Sequence, residues 1–167
     1  NLTSITFGEN SQLTSISHET FYSCSNLTSI EIPAGVTQIG ICAFTDCSSL
    51  TSIEIPAGVT QIGSEAFVGC SRMTNVAFGE NSQLTSIGER AFSDCSTLLG
   101  INIPKDVTSI GEDAFDGCNA LKAIAVDAEN TVYDSRDNCN ALIKTSENKL
   151  IKGCYNTVIP ATVTSIA

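Results

Sequence analysis

The sequence predicts an α/β solenoid, a stack of short units that each contain strands and one helical turn. Three observations lead to this prediction. The segment LTSIEIPAGVTQIG occurs twice without change, at residues 27–40 and 50–63. Phenylalanine and cysteine each recur every 23 to 25 residues. Within a unit, the spacing of the apolar residues changes from the alternation typical of a strand to the spacing typical of one face of a helix. The recurring pairs are Phe21 and Cys24, Phe44 and Cys47, Phe67 and Cys70, Phe92 and Cys95, and Phe115 and Cys118.

The units follow one another along the whole chain. Repeats start near residues 2, 27, 50, 73, 98 and 121, and the longer ones contain FGENSQLTSI in place of IPAGVTQI. An irregular hairpin insertion is expected at 130–155 and a partial repeat at 156–167. These segments predict a single domain, residues 1–167, of about six to seven repeats. Because the chain begins and ends within a repeat, we expect it to be part of a longer protein.

The segment LTSIEI predicts the first strand of a repeat. Ile30 and Ile32 alternate with the polar residues Ser29 and Glu31, as in a strand with one buried face. Pro33 then ends the pairing because it has no amide hydrogen. We therefore expect equivalent strands to pair in parallel, with identical residues lying above one another.

A second short strand and a turn complete each repeat. In VTQIG, Val36 and Ile39 point inward, and Gly40 is expected to adopt a positive φ at the corner. In ICAFTDC, the spacing of Ala43, Phe44 and Cys47 places all three on one side of a single helical turn. Stacking then produces a column of phenylalanine rings and a row of buried, unpaired thiols that act as small apolar side chains.

Composition and charge exclude several classes of function. The chain has 18 acidic and 8 basic residues, and none of its lysines or arginines precedes Arg72. Binding to nucleic acid or to an anionic membrane surface is therefore not expected, because both need basic side chains. No apolar run approaches the roughly 20 residues of a spanning helix, so no membrane insertion is expected within this segment.

The residues that could carry chemistry do not form a convincing active site. Cys42 aligns next to the only histidine, His18, but the sequence supplies no orienting group or oxyanion hole for this pair. No Cys-x-x-Cys motif indicates zinc. The acidic stretch from Asp127 to Asp137 could hold Ca²⁺ by oxygen ligands, but it lacks the spacing of a calcium loop. We therefore predict a protein that is not an enzyme and has no cofactor or metal.

Two cysteines lie outside the repeating row. ALIKTSENKLIK predicts a β-hairpin that turns about Ser146 and Glu147 and pairs Ile143 with Leu150. The same register pairs Leu142 with Ile151 and places Cys139 opposite Cys154. A disulfide between them in an oxidising compartment and two free buried thiols are both compatible with this register.

The consensus L-T-S-I-x-I-P-x-x-V-T-x-I-G-x-x-A-F-x-x-C resembles the BspA-like leucine-rich repeats over essentially the whole chain. Repeats of this class occur in surface proteins of host-associated bacteria and some parasitic protists. The resemblance implies a right-handed leucine-rich-repeat coil with its main parallel sheet on the concave face. It also implies an extracellular or cell-surface location and a protein or other macromolecular ligand, such as host extracellular matrix.

Outward residues of the first strands are the expected binding residues, since leucine-rich repeats usually bind through this surface. The predicted function is non-enzymatic binding or adhesion. The alternative is an inert structural spacer, or stalk, that displays another domain. The candidate binding residues are Ser29, Glu31, Ser52, Glu54, Asn75 and Asn102.

Overall fold

The computed structural model describes residues 2–167, and its regular elements are almost entirely short strands. Isoleucine and valine recur in these strands with one side chain buried and the next exposed, as the alternation predicts. The strands are β1 (Ser4–Ile5), β2 (Ser15–Ile16), β3 (Ser29–Ile30), β4 (Gln38–Ile39), β5 (Ser52–Ile55), β6 (Gln61–Ile62), β7 (Asn75–Phe78), β8 (Ser86–Ile87), β9 (Gly100–Ile103), β10 (Ser109–Ile110), β11 (Ala123–Val126), β12 (Tyr133–Asp134), β13 (Ala141–Lys144), β14 (Lys149–Gly153) and β15 (Ser165–Ile166).

Equivalent strands of successive repeats pair in parallel. The first strands form the pairs β1 with β3, β5 with β7 and β9 with β11. The second strands form one continuous sheet in the order β10, β8, β6, β4, β2. Ser15 faces Gln38 and Ile16 faces Ile39, so each residue lies against its counterpart one repeat away. The predicted stacking of equivalent residues is therefore confirmed.

The solenoid contains about five turns, so the predicted count of six to seven repeats is not confirmed. Five second strands form the continuous sheet, and after β11 the chain leaves the coil. The Asn130 side-chain amide donates to the carbonyls of Pro104 and Val107, at 2.9 and 3.0 Å. The Tyr133 hydroxyl accepts a hydrogen bond from the Ile110 amide at 3.1 Å. These side chains satisfy backbone groups of the last full turn where another strand would otherwise pair.

The predicted helical turns at the A-F-x-x-C segments are wrong. Residues 41–46 form hydrogen-bonded turns, and Cys42 and Asp46 have positive φ values of 53° and 59°. A left-handed residue every fourth position interrupts the α-helical path. Alternate amides instead bond to the next repeat: Cys42 to the Ser64 carbonyl and Phe44 to the Ala66 carbonyl, at 3.0 and 2.7 Å. This side of the coil is thus also held by bonds between repeats.

Gly40 has a different role from the predicted one. Its φ is not positive; the positive φ falls two residues later, at Cys42. A Cβ at Gly40 would lie 2.7 Å from the backbone nitrogen of His18, and one at Gly63 would lie 2.5 Å from that of Ile41. Glycine is needed at this corner because the backbones of neighbouring repeats meet there.

The core is a column of identical side chains along the coil axis. The rings of Phe44 and Phe67 stack with centroids 5.1 Å apart, and those of Phe67 and Phe92 with centroids 5.2 Å apart. All three rings are fully buried. Isoleucine, leucine and valine ladders surround the column and join it in one apolar cluster that runs through the coil. Burial of this continuous column is the main stabilising contribution that one repeat makes to the next.

The hairpin insertion supplies three strands of a four-stranded sheet in the order β12, β13, β14, β15, and the partial repeat that follows supplies β15, which pairs in parallel with β14. Ile143 pairs with Leu150 as predicted, but a bulge between Leu142 and Ile143 pairs Leu142 with Lys152 rather than with Ile151. The shift places Asn140, not Cys139, beside Cys154, whose thiol lies 2.9 Å from the Asn140 carbonyl oxygen. Both cysteines are free thiols in the structure, and the register argument for joining them no longer holds.

Candidate binding groove

The strand face carries an open groove of about 900 Å³. Its floor is formed by the exposed side of the first strands, and one wall by the turns that follow them. The turns Pro33–Gly35 and Pro56–Ala57 are short, whereas the FGENSQ turn of the first repeat is two residues longer and lines the groove with them. The lining residues are Thr6, Phe7, Gly8, Glu9, Ser11, Ser29, Ile30, Glu31, Ile32, Pro33, Ala34, Gly35, Ser52, Glu54, Pro56, Ala57 and Gly79.

Four of the six predicted binding residues line this groove: Ser29, Glu31, Ser52 and Glu54. Asn102 lines a neighbouring depression of about 410 Å³, bordered by the second FGENSQ turn and by Lys105. Asn75 is exposed at the start of β7 and lines neither cavity. Four of the predicted binding residues therefore lie together at the N-terminal end of the strand face, whereas Asn75 and Asn102 lie apart from them.

The walls of the groove were not predicted from the sequence. Phe7, Gly8 and Gly79, which belong to the two longer FGENSQ turns, line the groove beside residues of the shorter turns. The two-residue length difference between FGENSQLTSI and IPAGVTQI is the signal that would have located these walls.

The groove is acidic. Glu9, Glu31 and Glu54 line it, and the lining residues include no lysine or arginine. Within residues 2–167, none of these three carboxylates lies within ion-pair distance of a basic group of the protein. A concave surface with charges of one sign concentrates the electrostatic field and attracts the opposite charge. The arrangement is suited to a partner that presents lysine or arginine side chains.

The cysteine row is structural rather than reactive. Four thiols of the row, those of Cys47, Cys70, Cys95 and Cys118, each donate to a phenylalanine carbonyl of the preceding repeat, as Cys47 does to Phe21 at 3.2 Å and Cys70 to Phe44 at 3.3 Å. Burial raises the pKa of Cys47 to about 12 and the pKa of Cys118 to about 11. These thiols stay protonated near neutral pH, so they are poor nucleophiles.

The remaining candidate groups do not assemble into a catalytic site. Cys42 is half-buried, and its sulfur lies 4.0 Å from a Glu65 carboxylate oxygen. His18 is hydrogen-bonded through Nδ1 to the Ile41 carbonyl at 3.0 Å. Arg136 pairs with Asp134, and Lys105 lies 3.6 Å from Glu129, so two carboxylates of the acidic stretch have basic partners.

Over residues 2–167, no three histidine, cysteine, aspartate or glutamate side chains are grouped as metal ligands would be. The same residues contain no helix with the length and apolar character required to cross a membrane.

A family model for the BspA type leucine rich repeat region matches residues 1–142 in six copies. Among solved structures, a leucine rich repeat protein of T. pallidum is 31% identical with a TM-score of 0.65, over 70% of this chain and 53% of that chain. A leucine-rich repeat protein of Bacteroides ovatus is 29% identical with a TM-score of 0.66, over 92% of this chain and 37% of that chain. Comparison with curated proteins gives no match.

Another similar structure is a leucine rich cell surface protein of Faecalibacterium prausnitzii, which is 29% identical with a TM-score of 0.60, over 89% of this chain and 47% of that chain. The chain spans about half or less of the length of these solved proteins.

Proposed function

Because the chain belongs to the BspA-type leucine-rich repeat family, we propose that it is a non-enzymatic binding module of an extracellular or cell-surface protein, with the acidic groove as its binding site. The observation that carries the proposal is the groove itself, where Ser29, Glu31, Ser52 and Glu54 converge without any basic side chain. One similar solved protein is a cell surface protein, which supports the proposed location.

The proposed ligand is a protein segment with exposed lysine or arginine side chains, as in a host extracellular matrix protein. Glu31 and Glu54 occupy equivalent positions of neighbouring repeats, so a ligand that lies along the groove meets one carboxylate per repeat. Each exposed ion pair contributes only about 0.2–1 kcal/mol, and a useful affinity needs several of them together. Such a ligand would therefore be extended rather than a single charged group.

The test is binding to immobilised collagen, laminin and fibronectin, compared between the unaltered chain and the double variant Glu31→Lys/Glu54→Lys. We expect the unaltered chain to bind saturably and the double variant to bind with an affinity at least about tenfold lower, because the two substitutions reverse the charge of the groove. The binding should also weaken as salt is raised. Binding that the double variant retains would refute the groove as the site.

The matched control is Glu89→Lys/Glu112→Lys. These glutamates are also exposed and also occupy neighbouring repeats, but they lie outside the groove. The control changes the net charge by the same amount, so an equal loss in both variants would indicate general charge attraction instead of a site. The alternative function, an inert spacer, predicts no saturable binding to any surface in either case.

A further inference from the structure

We propose that the strand face binds one extended polypeptide at two places, the groove and the neighbouring depression of about 410 Å³, and that this ligand carries lysine or arginine side chains four residues apart. The groove supplies the first of the two contacts, so the proposal rests on the proposed function of the groove. It adds a second contact site and a spacing of charges that the ligand must have.

The depression repeats the construction of the groove three repeats further along the coil. The segment FGENSQLTSI begins at Phe7 in the first repeat and again at Phe78 in the fourth, 71 residues later. Residues of repeats one to three make up nearly all of the groove, and residues of repeats four to six line the depression. In each cavity the long FGENSQ turn lies beside turns of the two repeats that follow it. The same surface shape therefore recurs after three repeats.

The two cavities meet at Gly79, which lines both of them. A Cβ at Gly79 would lie 2.8 Å from the backbone nitrogen of Ala57, so the turns of the third and fourth repeats are in close backbone contact there. Ala77 on β7 lies beside Glu54 on β5 and has a methyl group where the neighbouring repeat has a carboxylate. A ligand can thus pass from one cavity to the other over small side chains.

The depression attracts basic side chains, as the groove does. Glu80 and Asp127 are exposed in its lining, and among residues 2–167 neither has a basic group within ion-pair distance. Glu80 occupies the position in its turn that Glu9 occupies in the groove. Lys105 also lines the depression, but it lies 3.6 Å from Glu129 and neutralises that carboxylate. Charge complementarity therefore favours the same class of ligand in both cavities.

The distance between the cavities sets the spacing of charges in the ligand. Neighbouring parallel strands lie about 4.8 Å apart, so equivalent points three repeats apart are separated by about 14 Å. An extended chain rises about 3.4 Å per residue and turns alternate side chains to opposite faces, so residues i and i+4 lie about 14 Å apart on one face. Residues i and i+3 point to opposite faces. Basic side chains at i and i+4 therefore reach both cavities, whereas those at i and i+3 reach only one.

The test compares two capped synthetic peptides of identical composition, with a fluorescent label, at low salt. One contains Lys-Thr-Ser-Thr-Lys and the other contains Lys-Thr-Ser-Lys-Thr, with the same flanking residues. We expect fluorescence anisotropy to show about fivefold tighter binding of the first peptide, because only its second lysine reaches Glu80 and Asp127 while the first occupies the groove.

Two variants of the depression should change this affinity in opposite directions. Glu80→Gln/Asp127→Asn removes two charges and little volume, and Asp127→Asn keeps the Oδ1 atom that accepts the Glu129 amide at 2.9 Å. This variant should lower the affinity of the first peptide to that of the second. Lys105→Gln should raise the affinity of the first peptide about threefold, because Glu129 then loses its basic partner. A gain of this kind cannot result from damage to the fold.

The matched control is Glu89→Gln/Glu112→Gln, which removes two exposed carboxylates outside both cavities and should leave the ratio of the two affinities unchanged. Equal binding of the two peptides that Glu31→Lys/Glu54→Lys abolishes would refute the second contact and leave the groove as a site. Binding to collagen, laminin or fibronectin without binding to either peptide would have the same meaning. If no peptide and no matrix protein binds, the groove and the second contact are both refuted.

Discussion

Truncation of the central ring, Phe67→Ala, should destabilise the protein more than truncation of an end ring. Phe67 is fully buried and stacks on both sides, on Phe44 at 5.1 Å and on Phe92 at 5.2 Å. Removal of a buried phenylalanine side chain typically costs about 3–5 kcal/mol. We expect the upper half of that range, about 4–5 kcal/mol, because two ring contacts of about 0.5–1.5 kcal/mol each are lost.

The matched variant is Phe21→Ala. Phe21 is only partly buried and has a ring neighbour on one side, so its truncation should cost about half as much, roughly 2 kcal/mol. Urea unfolding followed by circular dichroism measures both free energies. For a domain of this size, the Phe67 variant should also melt roughly 10–20 °C lower. If Phe67→Ala costs no more than Phe21→Ala, the continuous ring column is not what couples the repeats.

Two further predictions concern the corner glycines and the cysteines. Gly63→Ala should cost about 3 kcal/mol of unfolding free energy, because its Cβ would lie 2.5 Å from backbone. Gly58→Ala should change the free energy of unfolding little, because a Cβ at this position would lie 3.6 Å from its nearest neighbouring atoms, an ordinary van der Waals distance. Near neutral pH, iodoacetamide should label only the half-buried cysteines of the folded chain, and all eight after unfolding in urea. Rapid labelling of Cys70, or an unreduced peptide pair that joins Cys139 to Cys154, would contradict this pattern. The half-buried cysteines are Cys24, Cys42 and Cys154.

The repeating core was predictable because each repeat uses the same residue for the same contact. The period of Phe44 and Phe67 implied that their rings meet, and the rings are 5.1 Å apart. The alternation of Ile53 and Ile55 with polar residues implied a strand with one buried face, which β5 forms. Such contacts lie between identical positions one repeat apart, so spacing alone locates both partners.

The turn segments were predicted less well because their spacing permits two conformations. Ala43, Phe44 and Cys47 would lie on one side of a helical turn, and they also point inward in the observed turn. The left-handed conformation at Cys42 falls on a residue type for which sequence gives little warning, whereas the position of Asp46 is glycine in two other repeats, Gly69 and Gly117, and that alternation was the signal for a positive φ. Similarly, the bulge in the hairpin shifted Cys139 away from Cys154, although the turn itself was placed correctly.

The sequence by itself determined the period, the stacking of like on like, the inward and outward residues of each strand and the acidic character of the N-terminal third. Only the tertiary structure decided which turn residues line a groove, how the amides of the A-F-x-x-C segments pair, and where a bulge shifts the register of the hairpin. The physical reason is that a repeated contact is encoded by periodicity, whereas the lining of a groove or the position of a bulge depends on the relative positions of residues that share no period.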